Sequence, residues 1–266
     1  MAFEKERKKV MDQRAASTPE GDGHKIELSR RLAAVARFVP QGRVVADIGA
    51  DHALLLAFLA QEGRIQKGIA GEVNLGPFEN ARDRVKDGSL DETIDVRQGD
   101  GLAVLAPREA DVVVIAGMGG ALIASILARG EEKLRDTERL ILQPNNGAER
   151  VRAWLLERGW RVVAEDLVED GGLLYEILVA EPGDAYAPYY DSGLPLQQAL
   201  ETGPLLWKER HPLFPEKIRK ELEGRERILT SLDAGRTREA LLRKQQLQEE
   251  ISGWRRLLTW LSKETN

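Results

Sequence analysis

The sequence predicts an α/β protein in which a doubly wound, mostly parallel sheet ends in an antiparallel hairpin strand and precedes a helical coiled-coil hairpin. Three observations support this fold class. From Arg43 to about Glu181, short apolar runs alternate with amphipathic segments, which indicates repeated strand–helix–strand units. An Asp-Gly-Gly turn at 170–172 then separates two strand-like runs. Beyond residue 205, apolar residues recur on the three- and four-residue spacing of packed helices.

The individual elements follow from the spacing of apolar residues. The first helix is predicted to begin near Ile26 and to end at Pro40, because proline and the nearby Gly42 interrupt the helical period. Uninterrupted apolar runs such as DVVVIAG are typical of parallel strands covered on both faces. The predicted strands are 43–48, 67–72, 93–97, 111–116, 138–143, 161–168 and 173–181. The helices between them are predicted near 53–61, 75–86, 119–129 and 147–158.

The same patterns divide the chain into four segments. Residues 1–25 are polar and lack an apolar period, so we expect a disordered extension. Residues 26–184 are predicted to form the sheet domain. Residues 185–204 are rich in proline, glycine and tyrosine and are predicted to be a connecting segment without periodicity. Residues 205–266 are predicted to form the helical coiled-coil domain.

The composition excludes several kinds of chemistry. The 266 residues include no cysteine, so the chain has no disulfide, no thiolate metal ligand and no thiol nucleophile. The three histidines, His24, His52 and His211, are far apart in the sequence, and no metal site is expected. The N-terminal residues lack the apolar run of a signal peptide, and no stretch approaches the roughly 18 apolar residues of a membrane span. We therefore expect a cytoplasmic protein without a membrane partner.

Charge is unevenly distributed along the chain, although the net charge is only −5. Residues 1–37 carry nine Lys and Arg against six Asp and Glu, and residues 205–266 carry 14 against 10. Residues 38–204 carry 16 against 28. Basic ends around an acidic middle suit a protein that grips a polyanion at its periphery and holds a cationic ligand in its centre. The alternative explanation for the basic ends is that they are ordinary solvent-exposed helix faces rich in Lys and Arg.

Acids and glycines gather where the predicted parallel strands end. In an open α/β sheet these carboxyl ends meet at one edge, where ligands bind. The first three strands lead into DIGADH at 47–52, GE at 71–72 and GDGL at 99–102. The fourth and fifth lead into AGMGG at 116–120 and QPN at 143–145. Acids from three successive strands, each near glycine, are therefore expected at one edge.

S-adenosylmethionine accounts for most of these residues, so we predict it as the cofactor. Its ammonium and sulfonium are cationic, and Asp47 suits that charged end, while Gly49 lets the backbone approach a ligand closely. Glu72 can accept the two ribose hydroxyls, and Asp100 can accept the adenine amino group. The remaining predicted contacts are the backbone of Gly101 and Leu102 at the adenine ring, and Gly117 and Met118 near the sulfonium. For each acid taken singly, a turn or helix-capping role is the alternative.

A nicotinamide dinucleotide is the rival ligand for such a sheet. Its pyrophosphate needs a Gly-x-Gly-x-x-Gly turn at a helix N-terminus. The corresponding positions are Gly49, Asp51 and Leu54, so only the first is glycine. Because Asp51 would direct a carboxylate toward phosphate, the sequence disfavours a dinucleotide.

With these motifs the chain resembles the bacterial tRNA (adenine-22-N1)-methyltransferase family, the TrmK family. The resemblance covers roughly residues 26–184 in order and is carried by LSRRLAAVARFVPQG, VADIGADHA, GIAGEVNLGPFENA, VRQGDGL, IAGMGGALI, ERLILQPN, VRAWLLERGW and YEILVAE. It implies a class I (Rossmann-like) methyltransferase domain with a helical coiled-coil domain, and methyl transfer from S-adenosyl-L-methionine to N1 of adenine 22 in tRNA. By position it makes Asp51 the candidate catalytic acid/base and gives cofactor roles to Asp47, Gly49, Glu72, Asp100, Gly101 and Met118.

The implied reaction needs a carboxylate beside the target base. Adenine N1 attacks the methyl group with an in-plane lone pair, and a carboxylate at the N6 amine can stabilise the positive charge that grows on the purine. Asp51 is the predicted carboxylate, and a cap on the helix beginning near Ala53 is its alternative role. His52 is predicted either to orient the base or to cap the same helix. Where the family usually shows tyrosine and then proline after this motif, the chain has leucines at 54–56.

Contacts with tRNA are predicted in two groups. Gln143 and Asn145 could read the base edge with their amides, or hold the turn at Pro144. A target whose N1 edge is paired has to be extruded first. Phosphate contacts are predicted from six basic residues on the first helix and the helical hairpin: Arg30, Arg31, Arg37, Lys217, Arg219 and Lys220.

Two other functions stay open at the level of sequence. A small-molecule methyltransferase would use the same cofactor residues but would leave the basic helical hairpin without a role. A non-catalytic cofactor-binding or RNA-binding scaffold would transfer no methyl group. No pattern in the sequence indicates an oligomeric state.

Overall fold

The protein is built around a seven-stranded sheet, as seen in a computed structural model that describes residues 26–190, 192–232 and 237–263. The strands are β1 (Arg43–Ile48), β2 (Ile65–Glu72), β3 (Ile94–Gln98), β4 (Val112–Gly119), β5 (Arg139–Asn146), β6 (Trp160–Asp170) and β7 (Leu173–Pro182). Their order is β3-β2-β1-β4-β5-β7-β6, with β1 to β5 parallel and β7 antiparallel to both its neighbours. The predicted doubly wound sheet with an antiparallel hairpin strand is confirmed.

Helices cover both faces of this sheet. They are α1 (Arg30–Arg37), α2 (Leu54–Gln61), α3 (Leu75–Asp87), α4 (Gly120–Arg129) and α5 (Ala148–Glu157). Alternate residues of β4 enter opposite apolar layers: Val113 and Ile115 pack with α4 and α5, whereas Val112 and Val114 pack with α1, α2 and α3. The strand is therefore apolar at successive positions because both of its faces are buried.

Two predicted segments differ from the structure. The helix α1 begins at Arg30 rather than near Ile26, because the Ser29 hydroxyl caps it by accepting from the Leu32 N–H at 3.3 Å. The segment 185–204 contains the short helices α6 (Ala187–Tyr190), α7 (Leu196–Thr202) and α8 (Pro204–Lys208). Helices of four to seven residues are too short to show an amphipathic period. The extension predicted at 1–25 lies outside the described residues.

The C-terminal helices form the predicted helical hairpin. It consists of α9 (Phe214–Ser231) and α10 (Arg238–Lys263). Their shared core contains the residues Phe214, Ile218, Leu222, Leu247, Ile251, Trp254 and Leu257, together with Leu167 of β6 and Leu206 of α8. The hairpin is therefore packed against the sheet through its own apolar seam.

Buried ion pairs reinforce this junction. Arg152 of α5 and Glu165 of β6 have fully buried side chains, and Arg152 Nε lies 2.7 Å from Glu165 Oε1. Arg152 Nη2 also lies 2.7 Å from Glu176 Oε2 of β7. The other oxygen of Glu176 pairs with Lys217 Nζ of α9, whose side chain is 4% exposed. The prediction of a phosphate contact from Lys217 is therefore wrong, because its ammonium is buried in an ion pair between sheet and hairpin.

Candidate active site

The predicted acids come from three neighbouring strands at one edge of the sheet. Asp47 is the penultimate residue of β1, Glu72 ends β2, and Asp100 follows β3 by two residues. Backbone hydrogen bonds tie these strand ends together, since Gly49 N–H donates to Gly71 O and Gly99 N–H donates to Glu72 O, both at 2.8 Å. The topology thus brings the three strand ends to one edge, as predicted.

Two of these carboxyl groups are buried and electrostatically coupled. Burial raises the pKa of Asp47 from its ordinary 3.8 to about 7, and the nearby Glu72 and Asp51 raise it further while Arg31 lowers it. Burial also raises the pKa of Glu72, against a lowering by the hydrogen bond from the Asp51 backbone. Carboxylates crowded in this way bind a cation favourably, because a positive charge relieves their mutual repulsion.

Asp51 lies on a strained turn after β1. Three successive residues have positive φ angles, 33° at Asp51, 63° at His52 and 54° at Ala53, although none is glycine. Such conformations cost about 1–3 kcal/mol each and persist only where the surroundings impose them. Glu72 helps to impose this one, because its Oε1 accepts the Asp51 N–H at 2.8 Å. The turn leaves the Asp51 side chain 78% exposed at the edge of the site.

The side chains of Asp51 and His52 do not cap the helix that follows them, which was their alternative role. The N-cap of α2 is Ala53, and no side chain makes the capping hydrogen bond. The short helical turn Asp51–Ala53 has no side-chain cap either. His52 Nε2 instead lies 3.7 Å from Asp51 Oδ1, with the imidazole 40% exposed. Both side chains are therefore accessible beside the acidic cluster.

Gly49 and Met118 meet at the centre of the site. Gly49 has a φ of +73°, and a Cβ built on it would lie 2.1 Å from Met118 Cε. Glycine is therefore required here both by backbone conformation and by space. Gly49, which follows β1, and Met118 of β4 are two predicted cofactor residues that thus lie together next to Asp47.

Asp100, which follows β3, borders a cavity. A cavity of about 360 Å³ is lined by Asp100, Gly101 and Leu102, and Asp100 Oδ1 lies 3.2 Å from Arg129 Nη2. Leu102 is 2% exposed, with its side chain in the core, so a contact with a ligand would come from its backbone, as predicted. Val73, which the sequence analysis does not single out, is 54% exposed directly after Glu72.

Gln143 and Asn145 serve the neighbouring strand rather than the turn at Pro144. Gln143 is 0% exposed, and its Oε1 accepts the Gly117 N–H at 3.1 Å while its Nε2 donates to Asn145 Oδ1 at 3.1 Å. Asn145 Nδ2 donates to Gly117 O at 2.8 Å. The prediction that Gln143 reads a base edge is wrong, because its amide is buried and already bonded. Asn145 is exposed and stays a candidate.

The remaining predicted phosphate contacts divide into outward and inward residues. Arg30 is exposed, and Arg37 is exposed while pairing with Asp166. Arg219 and Lys220 are also exposed, in ion pairs with Glu216 on the same helix. Arg31 points inward, with Nη1 2.6 Å from Gln143 Oε1. Arg31 is only half-buried, so its predicted phosphate contact stays a prediction.

These residues fit a cationic nucleoside. Clustered carboxylates and the space that Gly49 leaves beside Met118 suit an ammonium and a sulfonium, and Asp100 with its cavity offers an acceptor for a purine amino group. Among the described residues, no group of three or more His, Asp or Glu is placed to hold a metal ion, and no helix is long and apolar enough to cross a membrane. A doubly wound sheet closed by an antiparallel strand, with acids at these strand ends, defines a class I, S-adenosylmethionine-dependent methyltransferase.

Comparison with known proteins identifies the family. The model of the tRNA (adenine(22)-N(1))-methyltransferase family, TrmK, matches residues 45–255. The chain therefore belongs to the TrmK family. A Bacillus subtilis tRNA (adenine(22)-N(1))-methyltransferase is 42% identical over 226 residues, which is 85% of this chain and 93% of that protein.

Two solved structures are similar over most of the chain. The crystal structure of the Bacillus subtilis M1A22 tRNA methyltransferase TrmK has a TM-score of 0.82 and 40% identity, covering 88% of this chain and 99% of that one. A Streptococcus pneumoniae protein in complex with S-adenosyl-L-methionine has a TM-score of 0.76 and 40% identity, covering 87% of this chain and 100% of that one. The likeness thus includes both the sheet and the helical hairpin.

Proposed function

We propose that this protein methylates N1 of adenine 22 in tRNA in the cytoplasm, with S-adenosyl-L-methionine as methyl donor. The observation that carries the proposal is the acidic cluster of Asp47, Glu72 and Asp51 at the sheet edge, with Asp51 exposed on a strained turn. The family match and the 42% identical relative support the choice of nucleotide.

The cofactor, when bound, supplies an electrophilic methyl group on a sulfonium. The residues that would hold it follow from their chemistry and position. Asp47 offers a carboxylate to the ammonium, Glu72 keeps Oε2 for the ribose hydroxyls, and Asp100 accepts from the adenine amino group. The other contacts come from Gly49, Gly101, Leu102, Gly117 and Met118.

Asp51 acts on the target adenine. N1 needs no prior deprotonation, so the chain must align the base and stabilise the positive charge that develops on it. The Asp51 carboxylate can accept a hydrogen bond from the N6 amine, which becomes more acidic as charge grows on the ring. Glu72 holds the Asp51 backbone during this step, and His52 lies close enough to orient the base.

The tRNA is positioned by exposed basic residues. Arg30 and Arg37 on α1, with Arg219 and Lys220 on α9, contact phosphates and give affinity without reading sequence. Because the N1 edge is used in Watson–Crick pairing, a paired target has to be extruded into the site.

The test uses the full chain with S-adenosylmethionine carrying a labelled methyl group and an unmodified tRNA. Digestion and mass spectrometry should find N1-methyladenosine, and the matched tRNA with guanine at position 22 should take up no label. Label on another base, or persistence of N1-methyladenosine in the guanine-22 tRNA, would reject the substrate assignment and keep the enzyme class.

The two rival functions have their own outcomes. A scaffold would bind the cofactor and label no RNA. A small-molecule enzyme would be unaffected when Arg219 and Lys220 are both changed to glutamate, whereas the tRNA enzyme should show a raised KM for tRNA. Charge reversal is preferred to deletion of the hairpin, because Lys217 and Leu167 join the hairpin to the sheet.

A further inference from the structure

The ends of β4 and β5 are joined by side-chain amides as well as by the regular strand ladder. The parallel register shifts between Ala116 and Met118, at the residue Gly117. Gln143 Oε1 accepts the Gly117 N–H, and Asn145 Nδ2 donates to the Gly117 carbonyl oxygen. The position of Gly117 therefore depends on the orientation of two side-chain amides.

Arg31 fixes that orientation. A guanidinium has donors and no acceptor, so a neighbouring amide must turn its oxygen toward it. Arg31 Nη1 lies 2.6 Å from Gln143 Oε1, which places that oxygen toward Gly117 and directs Nε2 toward Asn145. With the amide rotated by half a turn, its NH₂ would face both the Arg31 guanidinium and the Gly117 N–H, and donors would oppose each other.

Arg31 is itself held by the β6–β7 hairpin. Its backbone N–H donates to Asp170 Oδ2 at 3.0 Å, and this bond lowers the pKa of Asp170. Its guanidinium carbon lies 5.6 Å from the centre of the Tyr175 ring, within the range of a cation–π contact. The hairpin, α1 and the β4–β5 ends therefore meet at a single side chain.

We propose that Arg31 is a positioning residue for methyl transfer, which sets the Gly117–Met118 segment through the amide of Gln143. The inference rests on the proposed function. It extends that function by tying the N-terminal helix and the sheet hairpin to the reacting centre. A guanidinium facing the base would oppose the positive charge growing there. Arg31 instead donates to Gln143, so it acts through geometry.

The experiment compares Arg31→Met, Gln143→Met and the double variant with Arg30→Met on the same helix. Arg31→Met should lower kcat roughly 10²-fold, the effect of a displacement of about 1 Å at a reacting centre, with little change in KM for tRNA. The double variant should be no slower than the slower single variant, because both changes break one chain of contacts. Arg30→Met should instead raise KM for tRNA and weaken the dependence of tRNA binding on salt concentration.

A second readout is independent of turnover. Arg31 lowers the pKa of Asp47, whereas Glu72 and Asp51 raise it. In Arg31→Met the pKa of Asp47 should be higher. Calorimetric titration with S-adenosylmethionine should therefore show the rise of affinity at a higher pH than in the wild type. Arg31→Lys keeps a cation that only donates hydrogen bonds, so it should retain part of the kcat that Arg31→Met loses. If Arg31→Met does not fold, Arg31→Lys is compared with the wild type in its place.

The outcomes separate the two proposals. If the wild-type chain forms no N1-methyladenosine at position 22, the proposed function fails, and the calorimetric shift still tests the placement of Arg31. If the wild type is active while Arg31→Met raises KM for tRNA at unchanged kcat, Arg31 is a phosphate contact and the positioning role is overturned. Losses that multiply in the double variant would overturn it as well.

Discussion

The buried carboxyl group of Asp47 makes stability and cofactor binding depend on pH in opposite directions. Its pKa rises from 3.8 to about 7 on folding, chiefly because of burial and then because of Glu72. Between these values the native protein binds more protons than the unfolded chain, so the free energy of unfolding falls as pH rises. At about 1.4 kcal/mol for each unit of pKa, the loss between pH 5 and pH 8 is about 2–3 kcal/mol.

A cationic ligand favours the ionised form of the same group. With a free-state pKa of about 7, the affinity for S-adenosylmethionine should rise roughly 25-fold between pH 5.5 and pH 7.5, because binding has to expel one proton in that range. Calorimetry in two buffers of different ionisation enthalpy measures both the affinity and the number of protons released.

Asp47→Asn isolates this contribution from those of the other acids. The variant should bind the cofactor more weakly at pH 7.5, lose the pH dependence of affinity, and lose the fall in stability between pH 5 and pH 8. Asp83→Asn, on the exposed face of α3, is the matched control and should keep both wild-type profiles. Two results would refute the role of Asp47: a cofactor affinity in the wild type that does not change with pH, or a stability of Asp47→Asn that falls with pH as steeply as that of the wild type.

Three further changes test other parts of the structure. Asp51→Asn should lower kcat at saturating cofactor by about 10²–10⁴-fold, and a normal kcat would remove its catalytic role. Because Asp51 raises the pKa of Asp47, the variant should also move the pH dependence of cofactor affinity to lower pH. Lys217→Met should cost about 1–3 kcal/mol in urea unfolding, because Glu176 Oε1 loses its buried partner while Oε2 keeps Arg152. Lys220→Met, on the exposed side of the same helix, should change stability by less than about 0.5 kcal/mol. Gly49→Ala should abolish cofactor binding, because its Cβ would clash with Met118 and its φ is +73°. Adding Met118→Ala removes the clash and keeps the strained φ, so the double variant should not regain binding.

Much of the fold could be predicted because its elements are long enough to show their periods. The strand bounds agree with the structure to within three residues, as at β4, predicted to end at 116 and observed to end at Gly119. The three extra residues belong to the irregular pairing around Gly117, which depends on amides from β5. The short helices at 185–204 gave no period, although Pro204 at the first position of α8 was a local signal.

The candidate site was predictable where position in the topology decides it. Asp47, Glu72 and Asp100 come together because parallel strands end at one edge, and that follows from strand order alone. The three positive φ angles at 51–53 could not be predicted, because they depend on a hydrogen bond between Asp51 and a side chain 21 residues away. Asp and His are enriched at positive φ and Ala is not, so residue type gives only a partial signal for three such residues in a row.

By itself, the sequence determined the order of strands and helices, the positions of the acids, and the family to which the chain belongs. Only the tertiary structure decided which basic residues face the solvent. Arg30 and Arg31 are adjacent and chemically identical, as Lys217 and Lys220 are alike on α9, yet one of each pair is turned inward. The reason is that a buried acceptor from a distant strand, Gln143 or Glu176, is present at one position and absent from the other.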